Sequence, residues 1–151
     1  LPSGNSVMVH NLIRLHRFTE RPELQARAQE MLTRLQNLML ENPRALAHLA
    51  AAQELFLATP LAITLVGEPD QPVVQEMLAT LRRRFLPHRR LVLKTSANAQ
   101  ELGALVPAAQ DYEQVSGQPT AFVCPGTTCL APVHSAAALA EVLDRREGQG
   151  N

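Results

Sequence analysis

The sequence predicts a two-part chain: a helical segment over residues 1–58, followed by a small α/β domain over residues 60–146. Three observations predict it. Apolar residues in the first 58 positions recur at three- and four-residue steps, with no strand-like run among them. At Pro60 the signal changes, and AITLVG (62–67) is a short continuous apolar run ending in glycine, the pattern of a strand covered on both faces. LVLK (91–94) then supplies a second strand after an amphipathic stretch. Strand, helix and strand within about 35 residues form a βαβ unit, with parallel strands and a right-handed crossover.

The helical segment opens at Asn5–Phe18, where Val9, Leu12, Ile13 and His16 share a face widened by Met8 and Leu15. Pro22 sits where a first helical turn tolerates it. Leu24, Ala28, Met31, Leu32, Leu35, Leu38 and Met39 form a 3.6-period stripe behind it. Asn42-Pro43 reads as an N-cap opening a third helix. Leu46, Leu49, Ala50, Leu57 and the Ala50-Ala51-Ala52 patch predict burial of that helix on more than one side. In the second part, Asp70 is expected to cap a helix whose Val73, Val74, Met77, Leu78, Leu81 and Phe85 point inward. A brief helix over 99–105 capped by Asn98, a loop over 107–118, two strands (120–124 and 129–133) flanking Pro125-Gly126-Thr127-Thr128, and a helix over 136–146 capped by Ser135 complete the domain. Residues 147–151 read as a disordered polar tail.

Hydrophobic residues make up 46% and charged residues 19% of the 151, a soluble, globular balance. Fourteen basic and fourteen acidic side chains cancel, so no net field gathers nucleic acid or anionic lipid, and neither is expected as a partner. No apolar run approaches the roughly 20 residues of a bilayer span. The start, LPSGNSVMVHN, lacks a signal peptide's basic and apolar regions and an initiator Met, which fits a fragment or a processed chain. Two cysteines do not make a secreted disulfide scaffold, so a reducing cytoplasm is the expected compartment.

The order β-α-β-α-β-β-α is that of a thioredoxin-like fold, and Pro119-Thr120 is similar to that fold's cis-proline entrance. The junction of first strand and first helix, where such redox proteins carry Cys-x-x-Cys, here reads GEPDQP. PSGNS at 2–6, LVGEPDQP at 65–72, RRRFLP at 82–87 and the closing AFVCPGTTCLAPV together resemble the C-terminal part of the long thioredoxin-domain-containing proteins, the spermatogenesis-associated protein 20-like family with its bacterial relatives. The resemblance implies that residues 1–58 are the last helices of an (α/α) toroid, incomplete here, like that of N-acylglucosamine 2-epimerases. It also implies an upstream thioredoxin-like domain whose active-site cysteines map to no residue of this sequence.

Cys124 and Cys129 are the candidate thiol pair. If 120–124 and 129–133 pair across the turn, their Cα atoms lie about 4.5 or 5.5 Å apart. That falls inside the roughly 4.4–6.8 Å window for a disulfide. The foremost reading is two thiols serving as small hydrophobes. A reversible disulfide closing a very short loop is the second, and half a metal site the third, which needs two more ligands when only His134 is near. Pro125-Gly126 fits the centre of a type II turn. Asn5 is a candidate ligand-binding residue at the toroid's cavity rim, where it could hydrogen-bond a polyol, although Asn or Ser at a helix start serves equally as a cap. The cluster Arg82, Arg83, Arg84, His88, Arg89 and Arg90 reads as cations complementing a helix C-terminus rather than as an anion site. Glu68 reads as a loop charge, and the scattered histidines are assigned no role.

The expected function is therefore structural: a C-terminal interaction segment that closes a helical toroid, lacks its own Cys-x-x-Cys and is not itself a catalyst. Its partners would be the upstream toroid and thioredoxin-like domain, with no cofactor and no metal. The alternatives are part of an epimerase- or glycosidase-like enzyme holding a small carbohydrate-like ligand in the toroid cavity, and thiol redox at Cys124/Cys129.

Overall fold

The computed structural model describes residues 2–147. The tail expected from 147 onward lies, past Glu147, outside the described residues. The chain divides into two compact units, Leu1–Thr59 and Pro60–Asn151.

The first unit is three helices, α1 (Gly4–Thr19), α2 (Pro22–Glu41) and α3 (Ala47–Leu57), each in contact with the other two. Ser3 caps α1, its hydroxyl accepting from the Ser6 N–H at 3.2 Å. Val9, Ile13, Ala28, Leu49, Ala52 and Leu55 form the buried centre, flanked by Leu12, Met31, Leu32 and Leu35. No ring of paired helices is visible among the described residues. Two expectations need correction. Asn42-Pro43 does not open α3: a turn intervenes and Leu46 is the N-cap. Nor is α3 buried on several sides, since Ala50 is exposed and Leu57 is 73% exposed. The Arg17 guanidinium donates to the Leu55 and Ala58 carbonyls, giving the end of α3 the cation its unpaired acceptors need.

The second unit holds a three-stranded sheet ordered β2-β1-β3: β1 (Leu61–Val66), β2 (Arg89–Lys94) and β3 (Thr120–Pro125). β1 and β2 are parallel, with Ile63 opposite Leu91, and the crossover between them carries α4 (Pro72–Arg82). β3 is antiparallel to β1, pairing Ala62 with Cys124 and Val66 with Thr120. On one face Leu61, Ile63, Leu65, Ala121 and Val123 pack with Met77 and Leu81 of α4 and with Leu139 and Leu143 of α6 (Ala136–Glu147). Thr64, Val92 and Lys94 are buried on the alternate positions, so β1 is covered on both sides. The mixed sheet and its helices are compatible with a thioredoxin-like order.

The returning strand of the expected hairpin is reduced to a single bridge, Ala121 to Val133. Leu130 N–H donates to the Val123 carbonyl at 2.9 Å, leaving Ala131 and Pro132 opposite Phe122 alone. That extra residue is a bulge, placed where proline has no N–H for a ladder. The turn is centred on Gly126-Thr127, because Thr128 N–H donates to the Pro125 carbonyl, and not on Pro125-Gly126. Further departures are local. Gln71, not Asp70, is the N-cap of α4. Asn98 precedes α5 (Ala99–Leu105) but turns its side chain back, accepting from Thr95 N–H and donating to the Leu93 carbonyl. The expected loop starts with a short 3-10 turn, Pro107–Ala109. Phe85 lies beyond α4 and is 88% exposed, so it does not point inward. No peptide bond among the described residues is cis, so Pro119 is not a cis-proline. Ser135 accepts from the Ala138 N–H at 3.2 Å, as a cap does.

His10 and His48, scattered in sequence, stand with ring centroids 4.4 Å apart in the first unit. Burial first, then the charges of His48 and Arg14, holds the His10 pKa below the ordinary histidine value. Folded His10 thus resists a proton that the unfolded chain takes near pH 6.5. The stability this contributes is present above that pH and is lost as pH falls through the lower folded value. Denaturation midpoints measured between pH 7.5 and 5.5 should fall with pH, and His10→Gln should flatten the slope; an unchanged slope would clear His10 of the effect.

Candidate functional site

The carboxyl ends of β1 and β2 open on a cleft of about 310 Å³, lined among others by Gly67, Glu68, Lys94, Ser96, Tyr112 and Glu113. Carboxyl ends of parallel strands are where open α/β sheets commonly place ligands. Gly67 is required by its surroundings. A Cβ at this φ of 157° would stand 2.9 Å from both Gln71 Oε1 and Val74 Cγ2, and 3.3 Å from Pro119 Cβ. Glu68 follows it, and its carboxylate accepts from the Ser96 N–H at 2.8 Å. That backbone hydrogen bond holds the Glu68 carboxyl below its ordinary pKa. The loop expected to hold a mere charge is therefore tied across the cleft mouth to the end of β2.

Lys94 closes the cleft floor. It is 8% exposed, and its ammonium donates to the carbonyls of Ala109, Gln110 and Tyr112 at 3.2, 2.6 and 2.8 Å. A buried ammonium needs such partners, and three carbonyls match its three N–H groups. Sequence reasoning placed Lys94 at a strand end and gave it no role; a charge closing the alternation of β2 was the available signal.

The two cysteines form a disulfide: their sulfurs are 2.09 Å apart and their Cα atoms 3.9 Å, closer than an unbulged pairing would give. The foremost expectation, two separate thiols, is corrected. The bulge at Ala131-Pro132 brings Cys129 opposite Cys124 and lets the sulfurs meet. Cys124 pairs with Ala62 near the start of β1, so the bridge lies about four residues, or ~13 Å, along the strand from the cleft. His134, the nearby residue weighed for a metal site, is elsewhere: its Nδ1 lies 3.3 Å from both Thr120 Oγ1 and the Pro119 carbonyl, at the other end of β3. No cluster of three metal-ligating side chains occurs among the described residues.

Tyr112 joins the two ends. Its carbonyl accepts from Lys94, its ring stacks on Phe122 with centroids 4.3 Å apart, and its hydroxyl lies 3.3 Å from Cys124 Sγ and 3.1 Å from Cys129 Sγ. The sequence places this residue, the chain's one tyrosine, inside the 107–118 loop and gives no local signal of its contacts. Of the basic cluster, Arg84 donates to the Thr80 carbonyl and to Asp144, and Arg89 donates to the Leu81 carbonyl, both closing the end of α4. Asn5 is exposed in the first turn of α1, where Ser3 does the capping.

Fold and site thus define a small α/β domain, preceded by three helices, whose first strand–helix junction reads Gly67-Glu68-Pro69-Asp70. The chain is homologous to the C-terminal region of spermatogenesis-associated protein 20. It is 26% identical to the human protein over 142 residues, 94% of this chain and 18% of that one, and 25% identical to the mouse protein over the same span. An uncharacterized protein of Caenorhabditis elegans is 24% identical over 144 residues, 95% of this chain and 19% of its own length. The chain therefore spans less than a fifth of the length of these curated relatives. No family model matches it, and no solved structure matches it.

Lys94→Met keeps the stem and removes all three donors. The domain should lose about 2 kcal/mol or more, the cost of deleting charge-assisted hydrogen bonds and leaving buried carbonyls unpaired. Urea midpoints of the two proteins check this, and equal midpoints would show that the ammonium does not hold the 107–112 segment.

Proposed function

We propose that this chain serves as a structural and interaction segment of a larger protein, with a thioredoxin-like end domain that does not catalyse at the usual position of its fold. The observation that carries the reading is the apolar surface left on the helical unit. Met8 and Leu15 are each 51% exposed and lie two turns apart on one stripe of α1, while Leu38, Leu40 and Leu57 are 47%, 69% and 73% exposed. Apolar side chains that gather into a contiguous patch mark a surface that meets further protein. Under this reading further helices, completing a toroid of paired helices, cover them. The relatives' greater length supports a larger assembly of this kind. The junction Gly67-Glu68-Pro69-Asp70 supports the non-catalytic part, since glutamate tied to Ser96 supplies no thiol.

The reading is tested by light scattering on the 151-residue chain across a concentration series. Self-association is expected, and Leu15→Glu with Leu57→Glu should reduce it while leaving the helical content unchanged. A monodisperse monomer at high concentration would sink the proposal.

A further inference from the structure

The Cys124–Cys129 bridge puts two sulfurs in unlike surroundings. Cys124 is 7% exposed, whereas Cys129 is exposed on the turn. The bridge closes a loop of sequence separation 5, so it constrains the unfolded chain little. β3 is already held by its full pairing with β1, so its place in the sheet does not depend on the bond. Beside both sulfurs stands one hydroxyl, that of Tyr112, on a ring fixed by stacking on Phe122. An O–H fixed within hydrogen-bond reach of a disulfide is suited to the charge that appears when the bond opens.

We propose that Cys124–Cys129 is a thiol–disulfide exchange site for a dithiol reductant, with Cys129 the attacked sulfur, Cys124 the leaving sulfur and Tyr112 the residue that stabilises the departing thiolate. The reductant's thiolate reaches the exposed Cys129 Sγ, and a new S–S bond forms there as the Cys124–Cys129 bond breaks. The bond's electron pair goes to Cys124 Sγ, which takes a hydrogen bond from the Tyr112 O–H and later a proton from solvent. The reductant's second thiolate then attacks its own linked sulfur. It leaves as an oxidised disulfide and frees the Cys129 thiolate, so the two electrons lost by the dithiol are those gained by the chain. The site is distinct from the empty strand–helix junction and lies at the opposite end of β1. Because the Tyr112 carbonyl is one of the three on Lys94, the same residue links the bridge to the cleft.

Two measurements on the full 151-residue chain test this. In the first, oxidised protein is treated with glutathione, quenched with N-ethylmaleimide and mapped by mass spectrometry. Glutathione on Cys129 with maleimide on Cys124 is expected; glutathione on Cys124, or two free thiols before any reductant is added, would overturn the proposal. In the second, reduction by dithiothreitol is timed in wild type and Tyr112→Phe. Loss of the donor should slow reduction about tenfold, the rate equivalent of about 1.4 kcal/mol. It should also raise the pH at which Cys124 of the reduced chain becomes alkylated, a readout that a purely structural role would not move. Equal rates and equal alkylation profiles would remove Tyr112 from the step. Neither measurement depends on self-association, so its outcome is separate from that of the structural reading.

Discussion

Strand Leu61–Val66 is paired on both edges and covered on both faces, and the second unit is arranged around that fact. A central strand must satisfy its backbone groups through neighbours and its side chains through two layers. β2 and β3 supply the first, α4 and α6 cover Leu61, Ile63 and Leu65, and the opposite positions are closed partly by polar groups. Among these is Lys94, and its burial is tolerable only because a backbone segment folds over it with three carbonyls turned inward.

That one ammonium determines how the site is made. It holds the carbonyl of Tyr112 at the cleft, and the same residue's ring lies on Phe122 with its hydroxyl at the two sulfurs. The cleft and the bridge occupy opposite ends of β1, yet one residue, Tyr112, reaches both, by its carbonyl and by its hydroxyl. The junction just after β1 is given to packing: Gly67 makes room for Gln71, Val74 and Pro119, and Glu68 holds Ser96.

The helical unit follows another constraint. Its centre is small and apolar, and Arg17 closes the end of α3, but several large apolar residues remain outward. The unit is thus satisfied inside and apolar at several outer positions, and the chain covers under a fifth of its relatives' length.

The sequence by itself determined the helices of the first unit, the parallel β1–α4–β2 crossover and the absence of thiols after β1, because periodicity and local composition report which faces meet apolar surroundings. Only the tertiary structure decided which polar groups meet. Phe85 followed the apolar pattern of α4, yet the helix ends at Arg82 and leaves it outside. Asp70 and Asn42 were chemically suitable caps, but the helices start elsewhere. Lys94, Tyr112 and the cysteines lie far apart along the chain, and a hydrogen bond between distant residues leaves no periodic trace. Their convergence comes from the register of β3 on β1 and from one bulge, both set by the packing of the whole unit.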